Sequence, residues 1–182
     1  MRVIAGTRKG RLLKMPTGMK TRPTADKVKE AIFNIIGSKI IDAYFLDLFA
    51  GSGAVGIEAL SRGARQCVFV EKNGHCLKTI KTNLALTNFM DKAIIIKKDV
   101  TKALSSSLRL LFTHKFDFVF LDPPYDSAIY ETVLNGIREY DLITQGGVII
   151  VEHQRDKILH AENLGLEKRV RFYGDTAITV LL

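Results

Sequence analysis

Hydrophobic and polar positions along this chain change period from one element to the next. Val3-Ile4-Ala5 and Leu12-Leu13 flank Thr7-Arg8-Lys9-Gly10, which predicts a hairpin with a basic tip. Gly18 to Pro23 reads as a connector. Val28, Ala31, Ile32, Ile35 and Ile36 then fall at i, i+3, i+4, i+7 and i+8, the spacing of one helix face. Thr24 is the expected N-cap of that helix and Gly37 its stop.

From residue 44 short apolar runs alternate with helical patterns. Tyr44–Phe49 leads into a glycine-rich turn, and Ala54–Ser61 is a helix stopped near Gly63. Gln66–Val70 is a second run, followed by a helix over His75–Leu86 with Leu77, Ile80 and Leu84 on one face. Ala93–Ile96 is a third, with a helix expected around Ala103–Leu111. Phe116–Leu121 is a fourth, with a helix near Ile129–Tyr140, and Gly147–Val151 is a fifth, after a turn at Gln145-Gly146-Gly147. Strands apolar on both faces and separated by helices belong in a buried parallel sheet. Val170–Tyr173 and Ala177–Leu182 instead flank Gly174-Asp175 as an antiparallel pair. The expected fold is α/β and Rossmann-like: a seven-stranded, mostly parallel sheet with an antiparallel last strand, plus a small N-terminal β-hairpin.

At 182 residues the chain fits one main domain, expected over 21–182, with the basic hairpin of 1–20 as an appendage. Its 47% hydrophobic and 25% charged residues are ordinary for a soluble globular protein. No apolar run reaches the roughly 18 residues of a membrane span. The first residues lack the apolar stretch of a signal peptide, so the cytoplasm is the expected location. Cys67 and Cys76 have no CxxC spacing, and Cys67, in an apolar run, reads as a buried thiol. His75, His114, His153 and His160 show no ligand spacing, and no metal is assigned.

Charge changes the picture once it is located. The net charge is +8, and residues 1–30 hold nine Lys or Arg against Asp26 and Glu30. Nearly all the excess therefore sits in one short segment, as expected where a chain meets a polyanion.

Two motifs carry chemistry. Asp47-Leu48-Phe49-Ala50-Gly51-Ser52-Gly53-Ala54-Val55-Gly56 places G-x-G-x-x-G between a strand and a helix, and Glu71 ends the second strand. Ala50, Gly51 and Gly53 would line a ligand's close approach to the backbone, and Glu71 could bond both hydroxyls of a ribose. The glycines alone do not separate NAD from S-adenosylmethionine. Asp47 tilts the choice, because a carboxylate there repels a pyrophosphate and favours an ammonium and a sulfonium. Asp99, past the third strand, could bond an adenine amino group.

The second motif, Asp122-Pro123-Pro124-Tyr125, ends the fourth strand at the edge where open α/β sheets bind ligands. Two prolines make a stiff turn with no N–H donors, rich in carbonyl acceptors. Acceptors on both N–H bonds of an arylamine draw its nitrogen toward tetrahedral geometry and free its lone pair. Tyr125 offers a stacking face for a flipped base. The pattern reads as methyl transfer to the exocyclic amine of a nucleic-acid base.

These residues resemble the bacterial small-subunit ribosomal RNA guanine-N2 methyltransferases of the RsmD type, over essentially the whole chain. The resemblance rests on Arg2-Val3-Ile4-Ala5-Gly6, Thr21-Arg22-Pro23-Thr24 with the basic helix after it, Asp47 through Gly63, Asp122 to Tyr125, and Tyr173-Gly174-Asp175-Thr176. It implies that Arg22 and Thr24 lie over the cofactor pocket and that Arg2, Arg8, Lys9, Arg11 and Arg22 hold RNA. It further implies a guanine of small-subunit RNA, in an assembling particle, as the target; a monomer is the expected state. Motif chemistry by itself leaves open adenine-N6 methylation of DNA, glutamine methylation of protein, an NAD-dependent oxidoreductase and a non-catalytic RNA-binding assembly factor.

Overall fold

A computed structural model describes residues 1–16, 26–104, 108, 111–124, 128–159 and 165–182, residue 128 by its backbone alone. Its strands are β1 (Tyr44–Leu48), β2 (Gln66–Glu71), β3 (Ala93–Lys97), β4 (Phe116–Leu121), β5 (Ile143–Gln154), β6 (Lys168–Tyr173) and β7 (Thr176–Leu181). Its helices are α1 (Asp26–Ile36), α2 (Ala54–Ser61), α3 (Gly74–Thr87), α4 (Val100–Ala103) and α5 (Ala128–Glu139). The connector over Gly18 to Pro23, the Thr24 cap, and most of the helix predicted around Ala103–Leu111 lie outside the described residues.

One seven-stranded sheet runs in the order β3-β2-β1-β4-β5-β7-β6. β1 to β5 pair in parallel, and β7 lies antiparallel between β5 and β6. This is the expected Rossmann-like methyltransferase sheet. Connections to β1 leave in opposite directions on its two sides, so its border with β4 is the switch point where such sheets bind ligands.

Alternation along the strands sorts the core into two layers. Phe45, Phe69, Phe118, Phe120, Val148, Ile150, Ile178 and Val180 face one layer, which also takes Val28, Ile32, Phe33 and Ile36 of α1 and Ile57 and Leu60 of α2. Leu46, Val68, Val119, Leu121, Ile149 and Val151 face the other, against α4 and α5.

Three expectations need correction. β5 begins at Ile143, so Gln145-Gly146-Gly147 is a bulge inside the strand and not a turn before it. Phe116 pairs with Ile143 while Phe118 pairs with Val148, and a side chain at Gly147 would meet Ile143 Cγ1 at 2.6 Å. The run predicted to Phe49 stops at Leu48, because Phe49 turns into the left-handed region at φ 63°. The core face of α1 is also rotated. Lys29 and Phe33 are buried on it, whereas Ala31 and Ile35 are only partly buried, so Lys29 contributes no surface charge.

The N-terminal segment forms a short hairpin through an Arg2–Leu12 bridge, with Val3 N–H donating to Arg11 O (2.9 Å) and a single 3-10 turn, Gly6–Arg8, near its tip. It is bolted to the body. Glu58 of α2 accepts from the amides of Ile4 (2.8 Å) and Ala5 (2.9 Å) and from Arg62 Nε (2.8 Å), and it pairs with Lys29 Nζ at 3.5 Å. Asn83 of α3 accepts from the Lys14 amide and donates to the carbonyls of Lys14 and Ser52. A buried carboxylate is tolerated because each of its oxygens is bonded, and burial of the Lys29 ammonium pulls that lysine below its ordinary value.

Candidate active site

The apolar strands present their ends at one edge of the sheet. Asp47, the fourth residue of β1, is buried and accepts a hydrogen bond from the Gly56 amide (3.0 Å) at the start of α2. Gly51 (φ 55°) and Gly53 (φ 76°) carry the intervening loop through conformations costly to other residues. Gly56 answers a different need: a side chain there would meet Phe69 Cε1 at 2.3 Å, so its absence lets α2 lie directly on β2. Among the described residues, and its chain neighbours aside, a side chain at Gly51 would have only Phe49 O within 4 Å, at 3.9 Å.

Glu71 ties this loop to β2. One of its oxygens accepts the Gly51 amide (2.9 Å) and the other the Asn73 amide (2.7 Å), while Asn73 Oδ1 caps α3. Asp99 has a role the sequence did not predict, as the N-cap of α4: it accepts from the Thr101 amide and hydroxyl and pairs with Lys72 Nζ at 3.0 Å. Those bonds hold its carboxyl below the usual range.

Across the switch point, Asp122 follows β4 with Pro123 buried and Pro124 exposed beside it. β4 and β5 pair Leu121 with Val151, so the next residues out, Asp122 and Glu152, are neighbours at the edge. Alternation turns both toward the layer of Phe120 and Ile150, the layer that Asp47 also faces. Loss of water, then Glu152, then Asp47 hold the Asp122 carboxyl well above its ordinary value. Burial pushes Asp47 up to about 7, with Glu71 adding to the rise against the Gly56 bond. Asp47 and Asp122 thus bind protons more tightly than isolated carboxyls do, and with Glu152 they form an acidic cluster that favours cations and N–H donors.

Glu152 escaped the sequence reading, since it lies inside a long apolar strand and belongs to no motif; only the register places it beside Asp122. Ala50 is buried in the loop, and its amide donates to Val70 O. Arg22, Thr24 and Tyr125 lie outside the described residues. Arg2, Arg8, Lys9 and Arg11 all sit on the hairpin, distant in sequence but fixed to α2 and α3; Arg8 Nε donates to Thr87 O at 2.7 Å. Cys67 and Cys76 are buried, and burial pushes both thiols up, Cys76 to about 11. His153 is structural, its ring bonded to Thr179 Oγ1 at 2.8 Å. A cleft of 290 Å³ lined by Lys39, Asp42, Asp117 and Thr144 opens at the opposite edge of the sheet and holds none of these residues. Among the described residues no helix is long and apolar enough to cross a membrane.

Comparison with known proteins agrees with this architecture. The chain is 41% identical over 182 residues to YlbH of Bacillus subtilis, covering 99% of this chain and 97% of that one. It is 36% identical over 174 residues to ribosomal RNA small subunit methyltransferase D of Haemophilus influenzae, covering 92% and 86% respectively. The solved structure of Escherichia coli yhhF superposes with a TM-score of 0.84 at 30% identity, over 100% of this chain and 96% of that one. The model of the family described as conserved hypothetical protein 95 matches residues 1–182. The chain belongs to that family, the family of small subunit methyltransferase D.

Proposed function

We propose that this chain transfers a methyl group from S-adenosylmethionine to the exocyclic N2 amine of a guanine in small-subunit ribosomal RNA. The observation that carries the reading is the cluster of acids Asp47, Asp122 and Glu152 at the carboxyl edge, on either side of the switch point. Every side chain named there is a carboxylate. Such a donor-poor, acceptor-rich site fits the ammonium and sulfonium of S-adenosylmethionine and opposes the pyrophosphate of a dinucleotide. The cofactor, when bound, supplies an electrophilic methyl group.

The chain's own residues do the rest. Asp47 and the loop of Ala50, Gly51 and Gly53 would hold the methionine end, and Glu71 the ribose. Asp99, already capping α4, has less freedom to turn to an adenine. Arg22 and Thr24 retain the covering role that family resemblance implies. Ionised Asp122 accepts one N–H of the target amine, and the carbonyls of the Pro123-Pro124 turn accept the other. The nitrogen lone pair is thereby aimed away from the ring. The raised proton affinity of Asp122 also suits it to take the proton that the nitrogen sheds after alkylation. Tyr125 stacks on the base, and Arg2, Arg8, Lys9 and Arg11 grip phosphates from the hairpin of 1–20, beside a catalytic body of 21–182. The choice of ribosomal RNA rests on the names of the relatives and on the basic hairpin. The enzyme works as a cytoplasmic monomer on an assembling subunit.

The test is Asp122→Ala. Methyl incorporation into small-subunit RNA should fall at least 100-fold, on the scale of losing one positioned acid–base group. Affinities for S-adenosylhomocysteine and for RNA should stay within about two-fold of wild type, by calorimetry and filter binding, since each is carried by other residues. Methylation surviving the change, or a wild-type protein that binds NADH but not S-adenosylhomocysteine, ends the reading. Mapping methylated nucleotides in a deletion strain identifies the guanine.

A further inference from the structure

β6 is an edge strand with almost every side chain exposed, yet its sequence, Lys168-Arg169-Val170-Arg171-Phe172-Tyr173, is basic and aromatic. Phe172 is 55% exposed, a large apolar face left in water. The Arg155 guanidinium, from the turn after β5, lies 5.2 Å from the centre of its ring, and the Arg155 amide donates to Asp175 O, so the two turns are tied together. Lys168 donates to Leu159 O and Arg169 to Glu167, while Arg155 donates to Gly174 O at 3.4 Å and, like Arg171, is exposed.

The position of the strip gives it meaning. Glu152 pairs with Ile178, and Ile178 pairs with Arg171, so one row across the sheet runs from the neighbour of Asp122 to Arg171. Two strand spacings of about 4.8 Å separate β5 from β6. Alternation puts Arg171 and Tyr173 on the face of Asp47, Asp122 and Glu152, and Phe172, with the Arg155 guanidinium against its ring, on the opposite face. Arg155, Arg171 and Phe172 thus flank the same end of the edge strand from its two sides. Counting charge along the sequence hides this strip, because Asp156, Glu167 and Asp175 lie among its cations; only the fold gathers the aromatic ring and the two guanidiniums at the catalytic edge.

We propose that Arg155, Arg171 and Phe172 form a second RNA-binding platform, which seats the single-stranded nucleotides flanking the target base on the side of the site away from the N-terminal hairpin. An aromatic face with adjoining guanidiniums is the usual means of holding unpaired nucleotides without reading their sequence: the ring takes a base and the cations take phosphates. The proposal rests on the reading of this chain as an RNA methyltransferase. The competing explanation is that the cations merely guard an exposed strand edge against pairing with other chains.

The two explanations separate in RNA binding. Phe172→Ala and Arg171→Ala are surface changes, and thermal melting together with S-adenosylhomocysteine binding checks that each variant is folded. Measured against small-subunit RNA over a series of salt concentrations, Phe172→Ala should weaken binding about five-fold or more. Arg171→Ala should lower the slope of log K against log salt by about one. Lys39→Ala, at the opposite edge, should change neither. Folded variants with wild-type RNA affinity and salt slope overturn the platform, and self-association gained at unchanged RNA affinity assigns β6 to edge protection. A wild-type protein that fails to bind or methylate small-subunit RNA overturns the underlying reading as well, so the two failures are distinguishable.

Discussion

Asp122 and Glu152 show how the behaviour of one residue depends on a neighbour that sequence does not reveal. Asp122, Asp47 and Glu71 were legible because each closes an apolar run beside a recognisable turn. Glu152 was not, and neither was Lys29, since charged residues inside strongly patterned elements read as solvated. Their placement follows from strand register and from a helix face rotated by Phe33. The pairing has a kinetic signature. Glu152 raises the proton affinity of Asp122, and the proposed reaction uses the ionised form of Asp122. Removing the like charge in Glu152→Gln should therefore move the acid limb of the single-turnover rate to lower pH. Asp47→Asn should move it the same way by less, Asp47 being the weaker influence. Rates across pH 5 to 9, taken at saturating cofactor, check both; an unmoved limb would remove Glu152 from the site.

Among the elements, the N-terminal hairpin was foreseen as a basic tip but not as part of the core. Val3 is wholly buried, and the anchor is a carboxylate on α2. Hydrophobic periodicity cannot show this, because the contact joins residues 54 positions apart through a charged side chain. Glu58→Ala leaves the buried Lys29 ammonium with only the Arg2 carbonyl and Asp26 and leaves the amides of Ile4 and Ala5 without their acceptor, so stability should fall by about 3 kcal/mol in a denaturant titration. Lys29→Met combined with Glu58→Gln should recover part of that loss. Gly6→Ala probes the same joint more gently. Its new methyl carbon would stand 1.8 Å from Ser61 O, at φ 81°, so the hairpin must lift from α2. Faster amide exchange at Ile4 and Ala5 with exchange in β1 unchanged is the expected result. The parallel strands and the final antiparallel pair were legible from run length and turn residues. The β5 bulge was not, since two glycines after a polar pair look the same before a strand as within one.

At the scale of the whole molecule, acids gather at the carboxyl edge of the sheet, and Arg155 and Arg171 lie beyond them by the outer strand. The basic hairpin tip packs at the C-terminal ends of α2 and α3, a layout that no net charge conveys. The acids also tax the empty fold. Asp47 titrates near 7 in the folded chain against 3.8 when unfolded. Its ionisation is unopposed in the unfolded chain and resisted in the folded one. Stability from this group is thus full below pH 3.8, declines as pH rises toward 7, and is flat above, a span of up to ~4 kcal/mol. Melting temperatures of ligand-free wild type should fall relative to those of Asp47→Asn across that window. The proton held at the heart of the site then becomes a stoichiometric product of binding. Admitting the proposed sulfonium beside Asp47, which holds its proton up to about pH 7, should eject hydrogen ions into the medium. Titration heats for S-adenosylmethionine should therefore scale with the ionisation enthalpy of the buffer, more steeply than those for S-adenosylhomocysteine. On the proposed function, cofactor affinity should then follow cellular acidity, with loading easier as the surroundings turn alkaline.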